Sequence, residues 1–248
     1  MLLSRLTLLL TIVFAGLAGS ALEAAPPPEF VATYRVEKSG LAGRMIMTLR
    51  RDGSMWHFET HSEPIGILAL FDRAYVTEST VLEQWGSMLR PVTYAFSAEK
   101  KPSKRDVAST FDWENGIFKS SRGSKSRSTE LQSGTFDRLS VLLEIAARLR
   151  AGVASMDIPV ATQKGKILVR RFVREEEEEM IKVAGGKFKT ARVRQLRGKS
   201  KRYLVSWFAA DQHYLPVRMD QFRLDEHLVR AELINVEWHT EGTEKAAP

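Results

Sequence analysis

The sequence contains no cysteine, and that absence excludes several kinds of protein. Thiolate metal sites, disulfide frameworks and lipid-modified N-terminal cysteines all require the missing residue. Such a chain is held together by packing alone, and 248 residues are enough to bury a substantial core.

Familiar catalytic motifs are missing as well. The sequence has no Gly-x-Ser-x-Gly nucleophile turn, no phosphate-binding loop and no dinucleotide-binding fingerprint. The segment 97–100 fits a Ser-x-x-Lys pattern, but it lies where a predicted strand runs into a loop, without the helical turn that this chemistry needs. We therefore expect a protein that is not an enzyme, with no catalytic residues and no cofactor.

Only one long apolar run occurs, from Leu6 to Leu17, and it follows a positive charge at Arg5. Small residues come next, and then three prolines at 26–28. A positive charge, a short apolar stretch and a cleavage region with small residues are the three parts of a secretory signal. Because the run is shorter than the roughly 20 residues of a spanning helix, an uncleaved membrane anchor is the weaker alternative.

These features predict a signal peptide at residues 1–24 and a periplasmic location. Cleavage after Ser20, Ala21 or Ala24 fits the pattern. No later segment is apolar enough to span a bilayer, so we predict that the cleaved chain does not cross the membrane.

Positive charge exceeds negative charge by seven, with 37 lysines and arginines against 30 aspartates and glutamates. In an exported protein such an excess points to anionic lipids or other envelope polymers, and not to nucleic acid. A simple contribution to solubility is the alternative explanation.

Side chains alternate between apolar and polar along most of the remaining chain. Phe30, Ala32 and Tyr34 set the pattern, and turn signals such as Asn115-Gly116 separate the segments. We predict about a dozen antiparallel strands in one β-rich domain at residues 25–239. A sheet of that size curls, so a large curved sheet or partial β-barrel is expected.

Three segments depart from the simple pattern. Apolar residues at spacings of three and four predict one principal amphipathic helix at about residues 136–150, which needs a sheet to cover. The Ser-, Lys- and Arg-rich segment 120–128 is predicted to be a mobile tip, and the tail 240–248 to be disordered. Residues 167–174 and 176–183 are predicted as two separate strands.

Several short motifs occur together: Tyr34 with 40–49, 89–91, 111–113, 136–140, 185–190 and 207–218. In this combination they resemble an uncharacterised family of exported bacterial proteins, the domain-of-unknown-function 3108 family. The resemblance spans nearly the whole exported part of the chain. It implies export and a single β-rich domain. Because the family has no established activity, the resemblance provides no catalytic residues to transfer to this chain.

Three sets of residues have side chains that could form a metal, cation or acid–base site. His57 and His61 lie on a predicted strand, about 13 Å apart, so one metal ion cannot bridge them and no metal site is expected.

The glutamates at 175–179 alternate between two faces and do not converge on a cation. Their predicted partners are cations of a facing strand: Lys187, Lys189, Arg192 and Arg194. Asp211 and His213 are explained as polar turn residues, and an acid–base pair is the weaker alternative.

Methionine and aromatic residues alternate on two neighbouring strands, at Met45, Met47, Trp56 and Phe58. Such residues usually form the core. If the curved sheet is incompletely filled, they instead line an apolar pocket, because methionine adapts well to variable ligands.

The leading hypothesis is a non-catalytic periplasmic protein that binds or carries an apolar or amphiphilic envelope molecule, such as a lipid or another anionic amphiphile. The alternative is an envelope scaffold or assembly factor that acts through contacts with another envelope protein. A hydrolase of envelope polymers, with residues that converge only in the fold, is a third hypothesis.

Overall fold

The computed structural model describes residues 26–38, 40–65, 75–98, 106–196 and 201–239. The predicted signal peptide, with its alternative cleavage positions, and the predicted disordered tail lie outside these residues. None of the helices in the described ranges has the length and hydrophobicity needed to cross a membrane.

The described residues form fourteen strands and one α-helix, α1 (Val141–Arg150). The strands are β1 (Glu29–Lys38), β2 (Leu41–Asp52), β3 (Met55–Pro64), β4 (Val76–Trp85), β5 (Met88–Ser97), β6 (Val107–Asp112), β7 (Ile117–Arg122), β8 (Lys125–Glu130), β9 (Ser155–Ala161), β10 (Ile167–Val183), β11 (Gly186–Gln195), β12 (Arg202–Ala209), β13 (Leu215–Arg223) and β14 (Glu226–His239). They build one sheet in the order β8-β7-β6-β5-β4-β3-β2-β1-β14-β13-β12-β11-β10-β9. The predicted mainly β fold, with a large antiparallel sheet and one principal helix, is confirmed.

Alternation of side chains explains why the sheet buries one face. In β1, Phe30, Ala32 and Tyr34 are at most 2% exposed, whereas the residues between them lie nearer the surface. The apolar stripe of α1 covers this face through Leu142, Ile145 and other residues. The helix and the concave face of the sheet therefore share one core.

The helix begins later than predicted, at Val141 instead of about residue 136. Phe136 pairs with the sheet: its N–H donates to the Pro159 carbonyl over 2.9 Å, and its carbonyl accepts from the Ala161 N–H over 2.8 Å. A backbone committed to β9 cannot also form the first turn of a helix.

The two ends of the sheet overlap instead of pairing. The side chain of Arg127 on β8 lies against Gly165 in the turn 162–166, which joins β9 to β10. The Thr129 hydroxyl donates to the Gly165 carbonyl over 3.0 Å. The sheet is thus curled but not closed into a barrel, and we call this junction of β8 with the turn 162–166 the seam.

A second irregularity lies in β10. The prediction of two strands is wrong here, because residues 167–183 form a single strand whose register with β11 shifts between Arg174 and Glu178. Such a bulge bends a strand. The Gly185 N–H at the tip of the β10–β11 hairpin donates to the Leu233 carbonyl on β14 over 2.9 Å, so the hairpin reaches across to a strand four places away in the sheet order.

The run of glutamates pairs with cations, as predicted. Glu178 lies 2.6 Å from Lys189, and Glu175 lies 3.2 Å from Arg192 and 3.0 Å from Arg194. These contacts link β10 to β11 on either side of the bulge.

A buried carboxylate links β13 to β14. Asp220 is 1% exposed and accepts hydrogen bonds from Arg218 over 2.7 Å and from Arg230 over 3.0 Å, with His227 at 3.3 Å. Burial tends to raise the pKa of Asp220, but the hydrogen bonds from the two guanidinium groups outweigh it and hold that pKa below its ordinary value.

We therefore predict an acid-dependent contribution from Asp220. Because its pKa is lower in the folded than in the unfolded chain, its stabilisation is present above about pH 4 and is lost as the pH falls through the folded-state value. Asp220→Asn should lower the free energy of unfolding by about 2 kcal/mol at pH 7 and by less at pH 3. Urea denaturation across this range measures the difference.

Asp157→Asn, which breaks the exposed pair with Arg171, is the control and should cost less than about 1 kcal/mol. A loss for Asp220→Asn that does not change with pH would contradict the prediction.

Gly165 tests the contact at the seam. Its φ is +71°, and a Cβ atom there would come within 2.9 Å of the Arg127 Cβ. Gly53 has a similar φ of +59° but open space around it, so Gly53→Ala measures backbone strain alone, about 1 kcal/mol. Gly165→Ala should lower the free energy of unfolding by at least about 1 kcal/mol more, because it adds the clash with β8. Equal losses in urea denaturation would mean that the seam contact does not contribute.

Candidate functional site

Asp137 fixes the beginning of α1 to the sheet. One of its carboxylate oxygens accepts the N–H groups of Leu139 and Ser140 over 2.8 and 2.9 Å. The other accepts the hydroxyl of Ser140 and that of Thr80 on β4, each over 2.8 Å. Burial raises the pKa of the Asp137 carboxyl, although these hydrogen bonds oppose the rise. The helix therefore starts at a fixed position above β4.

The other end of α1 is held near the turn before β13. The Arg150 guanidinium donates to the His213 carbonyl over 3.2 Å. His213 and Tyr214 both have left-handed backbones, with φ of 50° and 56°, and the His213 ring packs edge-on against Trp238 at 4.7 Å. Burial and the charge of Arg150 lower the pKa of His213. A lowered pKa favours the uncharged imidazole, which is compatible with apolar neighbours such as Trp238.

An apolar cleft lies between α1 and the concave face of the sheet. We call it the helix cleft. It is lined by Pro27, Phe30, Met47, Phe58, Leu142, Leu143, Ala146, His213, Tyr214, Leu215, Pro216 and Trp238. Its free volume is about 20 Å³, which is room for about one water molecule. As the protein stands, the cleft is almost filled by its own side chains.

The helix cleft contains two of the four residues that the sequence offered as pocket lining. Met47 and Phe58 form part of its wall and are each 1% exposed. Trp56 is 7% exposed and belongs to the core outside the cleft, and Met45 packs half-buried against that core. The structure thus places Met47 and Phe58 together in the cleft wall and the other two outside it.

The remaining walls come from segments far away in the sequence. Leu142 and Ala146 lie on the helix, and Trp238 lies near the end of β14, next to Phe30 with a ring separation of 5.2 Å. No sequence motif identifies these residues as partners of Met47, because long-range strand pairing brings them together. The apolar stripe of the helix was the one available signal for Leu142 and Ala146.

A polar cluster adjoins the start of α1 on the inner face. The Tyr94 hydroxyl donates to Glu78 over 2.7 Å, Arg138 lies 3.0 Å from the same Glu78 oxygen, and Gln163 donates to Tyr94 over 3.3 Å. Burial and the negative charge of Glu78 raise the pKa of Tyr94, so the phenol stays protonated and acts as a hydrogen-bond donor. These contacts tie the turn 162–166 to β4 and β5.

A larger depression lies on the outer surface, across β5 to β8, with a volume of about 390 Å³. Ala95, Ala108, Ser121 and Ser126 lie in register there and point away from the buried Tyr94 side of the sheet. These small side chains leave a shallow, open surface. It offers no apolar enclosure for a ligand.

The other candidate residues do not form a site. His57 and His61 lie on strand β3 as predicted; His61 contacts Thr77 at 3.2 Å and stacks on Tyr75. Across the described ranges, no three His, Asp or Glu side chains converge as metal ligands would. Lys100 lies outside the described residues.

We expect Asp137 to control how firmly α1 is held. Asp137→Ala removes the acceptor for two N–H groups and two hydroxyls and should lower the free energy of unfolding by about 2–4 kcal/mol. Asp137→Asn keeps one oxygen for the two N–H groups and should cost about 1 kcal/mol. Chemical denaturation compares the two variants. Equal losses would show that the N–H contacts are not what fixes the helix.

A family model described as "Protein of unknown function (DUF3108)" matches residues 29–233 of the chain. No curated protein matches the chain significantly.

Two solved structures are similar. One is a β-barrel-like protein of the domain of unknown function DUF1849 from Brucella abortus, which is 11% identical with a TM-score of 0.57; the match covers 88% of this chain and 100% of that one. The other is a putative exported protein with a YmcC-like fold from Bacteroides fragilis, which is 12% identical with a TM-score of 0.30; the match covers 86% of this chain and 97% of that one. At such low identity, the first likeness shows the fold alone.

Proposed function

The chain belongs to the DUF3108 family of proteins of unknown function, and from that premise we propose that it is an exported, non-catalytic protein that binds or carries an apolar or amphiphilic molecule of the cell envelope. The helix cleft is the proposed binding site. A periplasmic location is part of the proposal and is supported by the charge, apolar run and small residues of the first 24 positions.

The observation that carries the proposal is the composition of the cleft. Its twelve lining residues include five aliphatic side chains or prolines from the helix and the start of β13, together with Phe30, Phe58 and Trp238 from other strands of the sheet. Binding sites for apolar molecules are lined in this way, with a few polar groups at the margin. His213 and Tyr214 occupy that margin.

A ligand must displace side chains to enter, since the cleft has space for only about one water molecule. Met47 adapts easily because its side chain is unbranched and flexible. Leu143 is half-buried on α1 and lies in the wall of a second small cleft as well, so a shift of the helix opens both. We propose that the apolar part of the ligand replaces contacts between α1 and the sheet.

Fluorescence quenching tests this site. A dibrominated stearic acid bound in the helix cleft should quench Trp238 in a saturable way, and Trp238→Phe should remove that quenching. Ala146→Phe fills the cleft from the helix side and should weaken binding about tenfold or more. Leu143→Trp, at a half-buried position, provides a second blocking variant if Ala146→Phe fails to fold.

Ala95→Phe is the matched control, because it makes the same change on the outer face, where residue 95 is exposed. It should leave binding unchanged. An absence of saturable quenching in the natural protein would contradict the proposal. So would weakening by Ala95→Phe alone, which would move binding to the outer depression.

The scaffold alternative has one observation in its favour. Among the described strands, β8 pairs with β7 alone and lies at an edge of the sheet. An edge strand presents backbone groups that pair readily with a strand of another protein. Crosslinking in intact cells separates the two functions, because a carrier acts without a stable protein partner.

A further inference from the structure

The seam gathers positive charge from two parts of the chain. Arg127 on β8 lies against Gly165, and Lys164 and Lys166 flank that glycine. Arg122 and Lys125 face each other across the β7–β8 hairpin, and Lys125 is on the same side of β8 as Arg127. These five cations, the seam cations, are brought together because the ends of the sheet overlap.

Within the described ranges, the seam cations lack anionic partners. None of the five forms an ion pair with any residue that the structure describes. Several cations elsewhere on the sheet are paired: Arg171 with Asp157, Arg192 with Glu175, and Arg230 with Asp220. The seam instead brings together cations from two parts of the chain without such pairing.

An exposed apolar side chain adjoins these charges. Leu168 is 41% exposed and lies two residues after Lys166, near the start of β10, so both point to the same side of the chain. Glu130 is the one acid on β8, and it points to the other side of the strand from Arg127. Cations beside exposed apolar groups are the chemistry of proteins that lie on anionic membrane surfaces.

We propose that the seam is a docking surface for an anionic lipid bilayer. The seam cations lie against lipid phosphates while Leu168 enters the interfacial layer. A bilayer suits this surface better than a soluble polyanion does, because only a bilayer removes this exposed apolar side chain from water. The proposal is independent of the helix cleft, since the two surfaces share no lining residue.

Vesicle sedimentation tests the docking surface. The protein is purified from a bacterial host that expresses the full chain, and its binding is measured on phosphatidylcholine vesicles with and without about one third phosphatidylglycerol. We expect binding only to the anionic vesicles, and weaker binding as NaCl rises from about 0.05 to about 0.5 M. Lys164→Glu with Lys166→Glu should weaken it about 25-fold or more, at about fivefold for each cation lost.

The matched control makes the same charge change at another hairpin tip. Lys182 and Lys187 are exposed cross-strand neighbours in the β10–β11 hairpin. Lys182→Glu with Lys187→Glu should weaken binding no more than about threefold. Thermal unfolding checks that both double variants fold. Leu168→Ser, which keeps the charge, should weaken binding at high salt, where screening leaves mainly the apolar contribution.

Three results would overturn the proposal. Equal weakening by the two double variants would mean that net charge alone attracts the protein. Equal binding to vesicles without phosphatidylglycerol would remove the role of the cations. Full competition by inorganic polyphosphate at the same phosphate concentration would assign the seam to a soluble polyanion.

Discussion

The antiparallel pairing of β1 with β14 holds the molecule together. It joins eight strands that precede the helix to six that follow it, so that one continuous sheet results. The same pairing sets Phe30 opposite Trp238 and so builds one side of the helix cleft. A buried hydrogen bond reinforces it, from the Tyr34 hydroxyl on β1 to the Pro216 carbonyl on β13 over 2.9 Å. Without this register, neither the common core nor the cleft exists.

The helix fills the curved sheet and is held at both ends by polar contacts. At its start, Asp137 accepts a hydrogen bond from the Thr80 hydroxyl. At its end, the last residue, Arg150, donates to the His213 carbonyl. Between these points the contacts with the sheet are apolar and non-directional. Such an arrangement lets apolar side chains be exchanged for a ligand while the polar ends keep their positions, and this is why the cleft is the proposed binding site.

Period-two alternation predicted most strands correctly, and the family resemblance drawn from short motifs is confirmed by the match over residues 29–233. Segment 120–128, predicted as a mobile tip, instead forms the end of β7 and most of β8. An edge strand with polar residues buries few side chains, so its sequence shows no alternation of apolar and polar residues. The helix start and the single β10 were missed for a related reason. The bridge at Phe136 and the bulge at 174–178 depend on distant partners.

The sequence by itself determined the β character, the absence of thiol chemistry, the excess of positive charge and the single amphipathic helix. Each of these follows from composition or from a local repeat of apolar residues. Such a repeat indicates secondary structure directly, because strands and helices have fixed side-chain periods. Tertiary structure alone decided that Met47 and Phe58 meet Trp238 in a cleft while Trp56 does not. It also decided that Arg127 lies against Gly165. Both outcomes depend on register between strands far apart in the chain, which is set by the joint packing of the whole sheet and not by any local pattern.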